Sequence, residues 1–164
     1  MDLTLVPRKG YEGQYDGRLE GKSIKIRGAP AMADLLGAIS GVGLLEQLNG
    51  KGIVFTDYQA RFRLTPTQVI IISSSAVGAS MGVSMDGYYN LGSSTLDMQG
   101  VISPVYFVNG IGRIFTRKGE GLFGFNYRMT GKASDPKIRV NPLSILTPGM
   151  FRELFKRPPP KVAQ

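Results

Sequence analysis

The sequence predicts a mainly β fold with a few short helices: a curved, strongly twisted antiparallel sheet, groove-like in form and packed on those helices. Three observations carry this. Apolar and polar residues alternate with a period of two through most of the 164 residues. Turn residues interrupt that alternation at intervals of about ten residues, the spacing of an antiparallel meander. The 3.6-residue apolar period of a helix is confined to two stretches, 30–48 and 148–156.

In chain order, residues 1–18 form a flexible lead-in, and Leu19 to Arg27 alternates, with Ile24 and Ile26 on one side and Ser23, Lys25 and Arg27 on the other. Pro30 starts a helix in which Met32, Leu35, Leu36 and Ile39 recur at i, i+3, i+4 and i+7; Leu44, Leu45 and Leu48 extend the stripe to the Asn49-Gly50 cap. From Gly52 to Leu64 the period is two again. Val54, Tyr58, Ala60, Phe62 and Leu64 share one face, opposite Asp57, Gln59, Arg61 and Arg63. Pro66 makes a turn, and Val69 to Ser75 is a strand too apolar to assign a face. Ala79 to Asn90 sets Met81, Val83, Met85 and Tyr89 against Ser80, Ser84 and Asp86. A Gly92-Ser93-Ser94 hairpin connection leads to a strand with Leu96, Met98 and Ile102 inward. Pro104 opens a helical or irregular piece through Phe115, and the last long strand, Leu122 to Gly131, aligns Phe123, Phe125, Tyr127 and Met129.

The closing stretch is compact. Pro136 and Pro142 bracket Lys137 to Val140 as a brief strand, because each proline lacks a donor and extends the residue before it. Thr147 caps a helix with Pro148 at its first position, and Phe151, Leu154 and Phe155 form its apolar face. Pro158 to Pro160 ends it. The expected organisation is one domain, 19–157, followed by a proline-rich flexible tail, 158–164.

Cysteine, histidine and tryptophan are absent, which removes thiol nucleophiles, serine–histidine dyads and imidazole or thiolate metal sites. No apolar run exceeds the four residues of Val69 to Ile72, well below the roughly 20 of a membrane helix, and 1–18 holds no signal-peptide core. Glycines at 110, 112, 119, 121 and 124 match neither phosphate-loop pattern. Asp57, Asp86 and Asp97 form no evident catalytic pair. No enzymatic chemistry and no cofactor are expected. The net charge of +8 favours acidic partners. Nucleic acid is not among those expected, since Phe123, Phe125 and Tyr127 share the apolar face while Arg128, Lys132 and Arg139 lie opposite or beyond.

Several segments, taken in order, resemble the C-terminal domain of the AsmA-like proteins of the bacterial envelope, the group that includes AsmA, TamB and YhdP. They are Gly28-Ala29-Pro30-Ala31, Leu44-Leu45, Gly52-Ile53-Val54-Phe55 with Tyr58 and Phe62, Leu91 to Asp97, Gly119 to Gly124, Asp135-Pro136, Val140 to Ser144 and Pro148-Gly149. The resemblance covers nearly the whole chain. Val108 to Phe115 departs from it, because many relatives carry a longer leucine-rich helical insertion there. The resemblance implies a periplasmic module at the far end of a longer chain anchored to the inner membrane, involved in phospholipid transport between the membranes and in outer-membrane homeostasis. Phospholipid, the membrane surface and envelope proteins are the partners it implies.

On this reading Val54, Tyr58, Phe62, Met81, Val83, Met85, Leu96 and Met98 are candidates to line a lipid groove. Phe151, Arg152, Leu154, Phe155 and Lys156 are candidates for a helix that meets a membrane or a partner. The alternatives are a sheet closed over an ordinary core, with no groove, that serves as a structural or protein-interaction module, and a C-terminal helix that seals the end of the sheet.

Overall fold

A computed structural model describes residues 1–27, 30–39, 52–79, 81–104 and 124–141. Among these, eight strands form one antiparallel sheet in sequential order: β1 (Asp2–Pro7), β2 (Tyr15–Ile26), β3 (Ile53–Leu64), β4 (Gln68–Val77), β5 (Met81–Asn90), β6 (Thr95–Pro104), β7 (Phe125–Lys132) and β8 (Asp135–Asn141). One helix, α1 (Pro30–Ile39), lies between β2 and β3 in the chain. The sheet is open, with β1 and β8 as its outermost described strands.

The meander follows from local turn chemistry. At the β3–β4 turn the Thr65 hydroxyl accepts hydrogen bonds from the backbone N–H groups of Thr67 and Gln68, at 3.3 and 2.9 Å. At the β5–β6 turn Asn90 Oδ1 accepts from the Ser93 N–H at 2.9 Å, and Ser94 takes a left-handed φ of 51°. On β4 one extra residue near Ile72 shifts the register against both neighbours, a bulge that bends the sheet.

Four sequence expectations are corrected. Residues 1–18 are not a loose lead-in: β1 pairs with β2 along its whole length. The loop between them is tied by Arg8 N–H to the Gln14 carbonyl at 2.9 Å and by the Arg8 guanidinium stacked 3.9 Å from the Tyr11 ring centroid. Pro104 itself belongs to β6, as its last residue opposite Met81. The closing strand is longer than Lys137 to Val140, because Pro136 is accommodated near the start of a strand at the sheet's rim, where a missing donor costs little.

The fourth concerns which side of β3 is buried. Ser23 takes φ 59° opposite Thr56, while the β2–β3 register continues unbroken from Lys22↔Asp57 to Ile24↔Phe55. One left-handed residue turns the strand pair without slipping it, so the inward parity changes at that point. Tyr58, Ala60 and Phe62 are half-buried on one parity, whereas Ile53 and Phe55 are each 1% exposed on the other. Val54 is thereby turned out, at 41% exposure.

The core sits where α1 meets the sheet. Leu35 and Leu36 of α1 join Ile53, Phe55, Met81, Ile102, Phe125 and Tyr127 in a single buried cluster. The expected helical continuation through Leu48, the piece from 105 to 115 and the helix 148–156 lie outside the described residues.

Candidate functional site: an uncharged sheet face and its pocket

In an antiparallel ladder, directly paired residues point to the same side. Four rungs can therefore be traced across the sheet. The first runs Gly21, Tyr58, Ala76, Val83, Ile102, Phe125; the second Leu19, Ala60, Ser74, Met85, Gly100, Tyr127, Val140. The third runs Gly17, Phe62, Ile71, Gly87, Met98, Met129, Ile138, and the fourth Tyr15, Leu64, Val69, Tyr89, Leu96, Gly131, Pro136. No position in these four rungs carries a charge. On β1, Leu3 and Leu5 continue the second and third rungs to the rim and are 54% and 44% exposed.

A pocket of about 290 Å³ opens on this face. Its described lining includes Leu19, Ile26, Leu35, Phe55, Tyr58, Ala60, Ser74, Ala76, Val83, Met85, Tyr127, Met129 and Ile138. Three hydrogen bonds tie polar groups of the lining: the Ser74 hydroxyl donates to the Met85 carbonyl at 2.8 Å, the Tyr127 hydroxyl to the Ser84 carbonyl at 3.0 Å, and Gln59 Nε2 to the Ser75 hydroxyl at 3.2 Å. Burial, with the charge of Asp86 adding to it, pushes the Tyr127 phenol far above the usual tyrosine range, so it stays a neutral donor.

Of the residues expected on a groove, Tyr58, Val83 and Met85 line the pocket. Phe62, Met98 and Leu96 lie on the same face, one and two rungs further from α1. Met81 is fully buried in the core cluster. Val54 lies off the lining, and Phe55 takes the place expected for it. Phe151, Arg152, Leu154, Phe155 and Lys156 fall outside the described residues. The lining residues that sequence reasoning missed are of two kinds. Ala60, Tyr127 and Met129 already alternate inward in the sequence, and that parity was the usable signal. Leu19, Leu35 and Ile138 come from elements far apart in the chain, and no local pattern brings them together.

The charges occupy the other face. Arg63, 7% exposed, places Nε 2.6 Å from Asp16 Oδ1 and Nη2 3.2 Å from Oδ2. Arg128 makes the same two-pronged contact with Asp97, at 3.1 and 3.1 Å. Among the described residues, no group of three or more acidic side chains comes together to hold a metal ion, and no helix is long and apolar enough to cross a membrane.

The Asp16–Arg63 pair sets a pH dependence. The hydrogen bond from Arg63, with the nearby charges of Arg63 and Arg8, holds the Asp16 carboxyl below its usual value despite some desolvation. A lowered carboxylate pKa gives stability that is present above the unfolded value near 4 and is lost as pH falls through the folded value. Asp16→Asn is therefore expected to cost about 1 kcal/mol at neutral pH, a modest figure because water screens this half-exposed carboxylate. Melting curves of both proteins from pH 7 downward should converge below about pH 4; a gap that persists at low pH would mean that packing, not charge, accounts for the loss.

Comparison of the chain with protein-family models, with curated proteins and with solved structures gives no match.

Proposed function

We propose that this chain is a non-enzymatic β module that holds phospholipid acyl chains on its uncharged sheet face. Its setting would be the periplasm, in phospholipid transport between the membranes and outer-membrane homeostasis, as the AsmA-like resemblance implies. The observation that carries the reading is the run of four uncharged rungs leading into the pocket.

An acyl chain offers no hydrogen bonds, so its binding surface must have its own backbone groups satisfied. A sheet interior meets that condition through its ladder. β2 and β8 are separated by six strand intervals, about 29 Å if the sheet were flat. A single pocket of about 290 Å³ touches both, which supports a sheet curled with this face concave. The volume lies near the lower end of the roughly 300–1,000 Å³ typical of ligand sites and suits part of one chain rather than a whole lipid. Each methylene moved out of water contributes about 0.8 kcal/mol, so about eight carbons would gain roughly 6 kcal/mol before the cost of ordering them.

A second reading, a structural or protein-interaction module with a closed core, draws on the complete burial of Leu36, Met81 and Ile102 beside the pocket. Its docking element would be β1, all six residues of which are exposed at the sheet's edge.

The two separate in one experiment. The purified chain is incubated with phosphatidylcholine vesicles, the vesicles are removed by flotation, and the protein fraction is extracted for mass spectrometry. Phospholipid near one per chain is expected. A lipid-free protein of unchanged thermal stability sinks the acyl-chain reading and leaves the interaction module.

A further inference from the structure

We propose that the uncharged face is blind at one end: an acyl chain enters from the end where the hairpin turns lie, terminal methyl first, and stops against Leu35 of α1. This rests on the acyl-chain reading above and adds to it a direction of entry and a limit on chain length.

Burial along the strands changes from one end to the other. On β3 the inward residues Ile53 and Phe55 are each 1% exposed, whereas Tyr58, Ala60, Phe62 and Leu64 are half-buried. β7 runs the same way, from buried Phe125 and Tyr127 to half-buried Met129 and Gly131, and β6 runs from fully buried Ile102 to half-buried Leu96. The sealed end is the one where α1 packs: Leu35 and Leu36 belong to the buried cluster there, and Leu35 also lines the pocket. The other end holds the connections 8–14, 65–67, 91–94 and 133–134. The first is closed on itself by hydrogen bonds from Arg8 to Gln14, and the other three are too short to reach across the sheet.

Hydrogen-bonding capacity divides the face in the same direction. On the α1 side the pocket is lined by Ile26, Leu35, Phe55, Ala76 and Val83, none of which has a polar side-chain atom. Tyr58 stands on the first rung, with its hydroxyl over Gly21 across the strand pair. Gln59 and Ser75 follow, then Ser74 and Tyr127 on the second rung. The fourth rung adds the phenols of exposed Tyr15 and half-buried Tyr89, side chains with an apolar body and a polar tip. An amphiphile fits this gradient one way round. A methyl needs no partner at the sealed end, whereas a headgroup placed there would lose its water with nothing to replace it. Residues two apart on a strand are separated by about 7 Å, so the first to fourth rungs give a chain about 20 Å of uncharged track before its headgroup meets water.

The test is isothermal titration calorimetry of the full chain with saturated fatty acids from octanoic acid upward. Affinity is expected to rise about fourfold per added methylene until the chain fills the track, and then to level off. Two isomers read the direction of entry. 12-Hydroxydodecanoic acid, which carries its hydroxyl into the sealed end, should bind at least about tenfold more weakly than dodecanoic acid, whereas 2-hydroxydodecanoic acid, with its hydroxyl at the mouth, should stay within about twofold. Ala76→Leu, which adds bulk at the first rung, should lower the length at which affinity levels off by about two methylenes and leave octanoic acid within about twofold, because a short chain can slide toward the mouth. Equal affinity of the two hydroxy isomers, or a limit that a folded Ala76→Leu protein leaves unmoved, overturns the blind-end proposal alone. Should that variant fail to fold, the isomer comparison on the wild-type chain decides. No binding of any fatty acid overturns the acyl-chain reading and this proposal together.

Discussion

Replacing Gly100 by alanine is expected to destabilise the fold by about 3 kcal/mol and to lower the melting temperature by roughly 6–12 °C. Gly100 lies on the second rung, between Met85 and Tyr127. A Cβ there would sit 1.8 Å from the Ser84 carbonyl oxygen and 2.8 Å from its carbon, both backbone atoms that no rotamer change can move. It would also meet the Tyr127 hydroxyl at 2.8 Å, on the path by which that group reaches the same carbonyl. One methyl group thus forces β5 and β6 apart and breaks the buried hydrogen bond that ties β7 across β6 to β5. Gly82→Ala is the control: it lies on β5, where a Cβ has only the Ala76 carbonyl oxygen nearby, at 3.9 Å. Its melting temperature should stay within about 2 °C of wild type, since alanine also narrows the unfolded ensemble. Equal losses in the two variants, read by thermal denaturation, would mean that β6 does not depend on close approach at Gly100.

That glycine also marks where the sequence was readable and where it was not. The meander was legible because alternation persists through β3, β5, β6 and β7, and because proline, asparagine and glycine stand between the strands. β1 was not, since a strand exposed on all six residues has no buried face to impose a pattern on Asp2 to Pro7. Val54 was placed inward because alternation was extended through Thr56, and a non-glycine residue with φ 59° on the neighbouring strand is invisible to a count of two. Glycines at 17, 21, 87, 100 and 131 fall on the inward parity, where a search for apolar side chains passes over them. Two of them lie beneath aromatic rings: a Cβ on Gly17 or Gly21 would collide with Phe62 or Tyr58 directly across the strand pair. The inner face thus depends on small residues for close approach as much as on large ones for its apolar character. Composition reports the second property and not the first.

The pocket was less legible than the sheet for a related reason. Tyr58, Val83 and Met85 follow from parity within β3 and β5, but Leu19 and Ile138 line one pocket from strands six intervals apart, which the proposed bend of the sheet would bring together. The register-shifting residue near Ile72 and the inward glycines favour that bend, and each is a single-position event with no periodic signature.

Filling the pocket is the second large effect. Ala60 stands on the second rung between Leu19 and Ser74, half-buried and on the pocket wall. Ala60→Phe is expected to reduce retained phospholipid at least about tenfold, because a ring projecting from that wall occupies the space an acyl chain would take. Folding should be spared: a cavity of about 290 Å³ has room for the ring, and new apolar contacts are expected to leave the melting temperature level or raise it by about 1–3 °C. The pairing of these two readouts gives the result its meaning. A large drop in stability would show that the wall is packed tight and the apparent cavity is ordinary core. Unchanged lipid retention in a stable Ala60→Phe protein would move the lipid out of the pocket, to the exposed lip formed by Leu3 and Leu5, where a chain could lie without entering. Only loss of lipid with stability intact fits a pocket that the uncharged rungs supply with acyl chain.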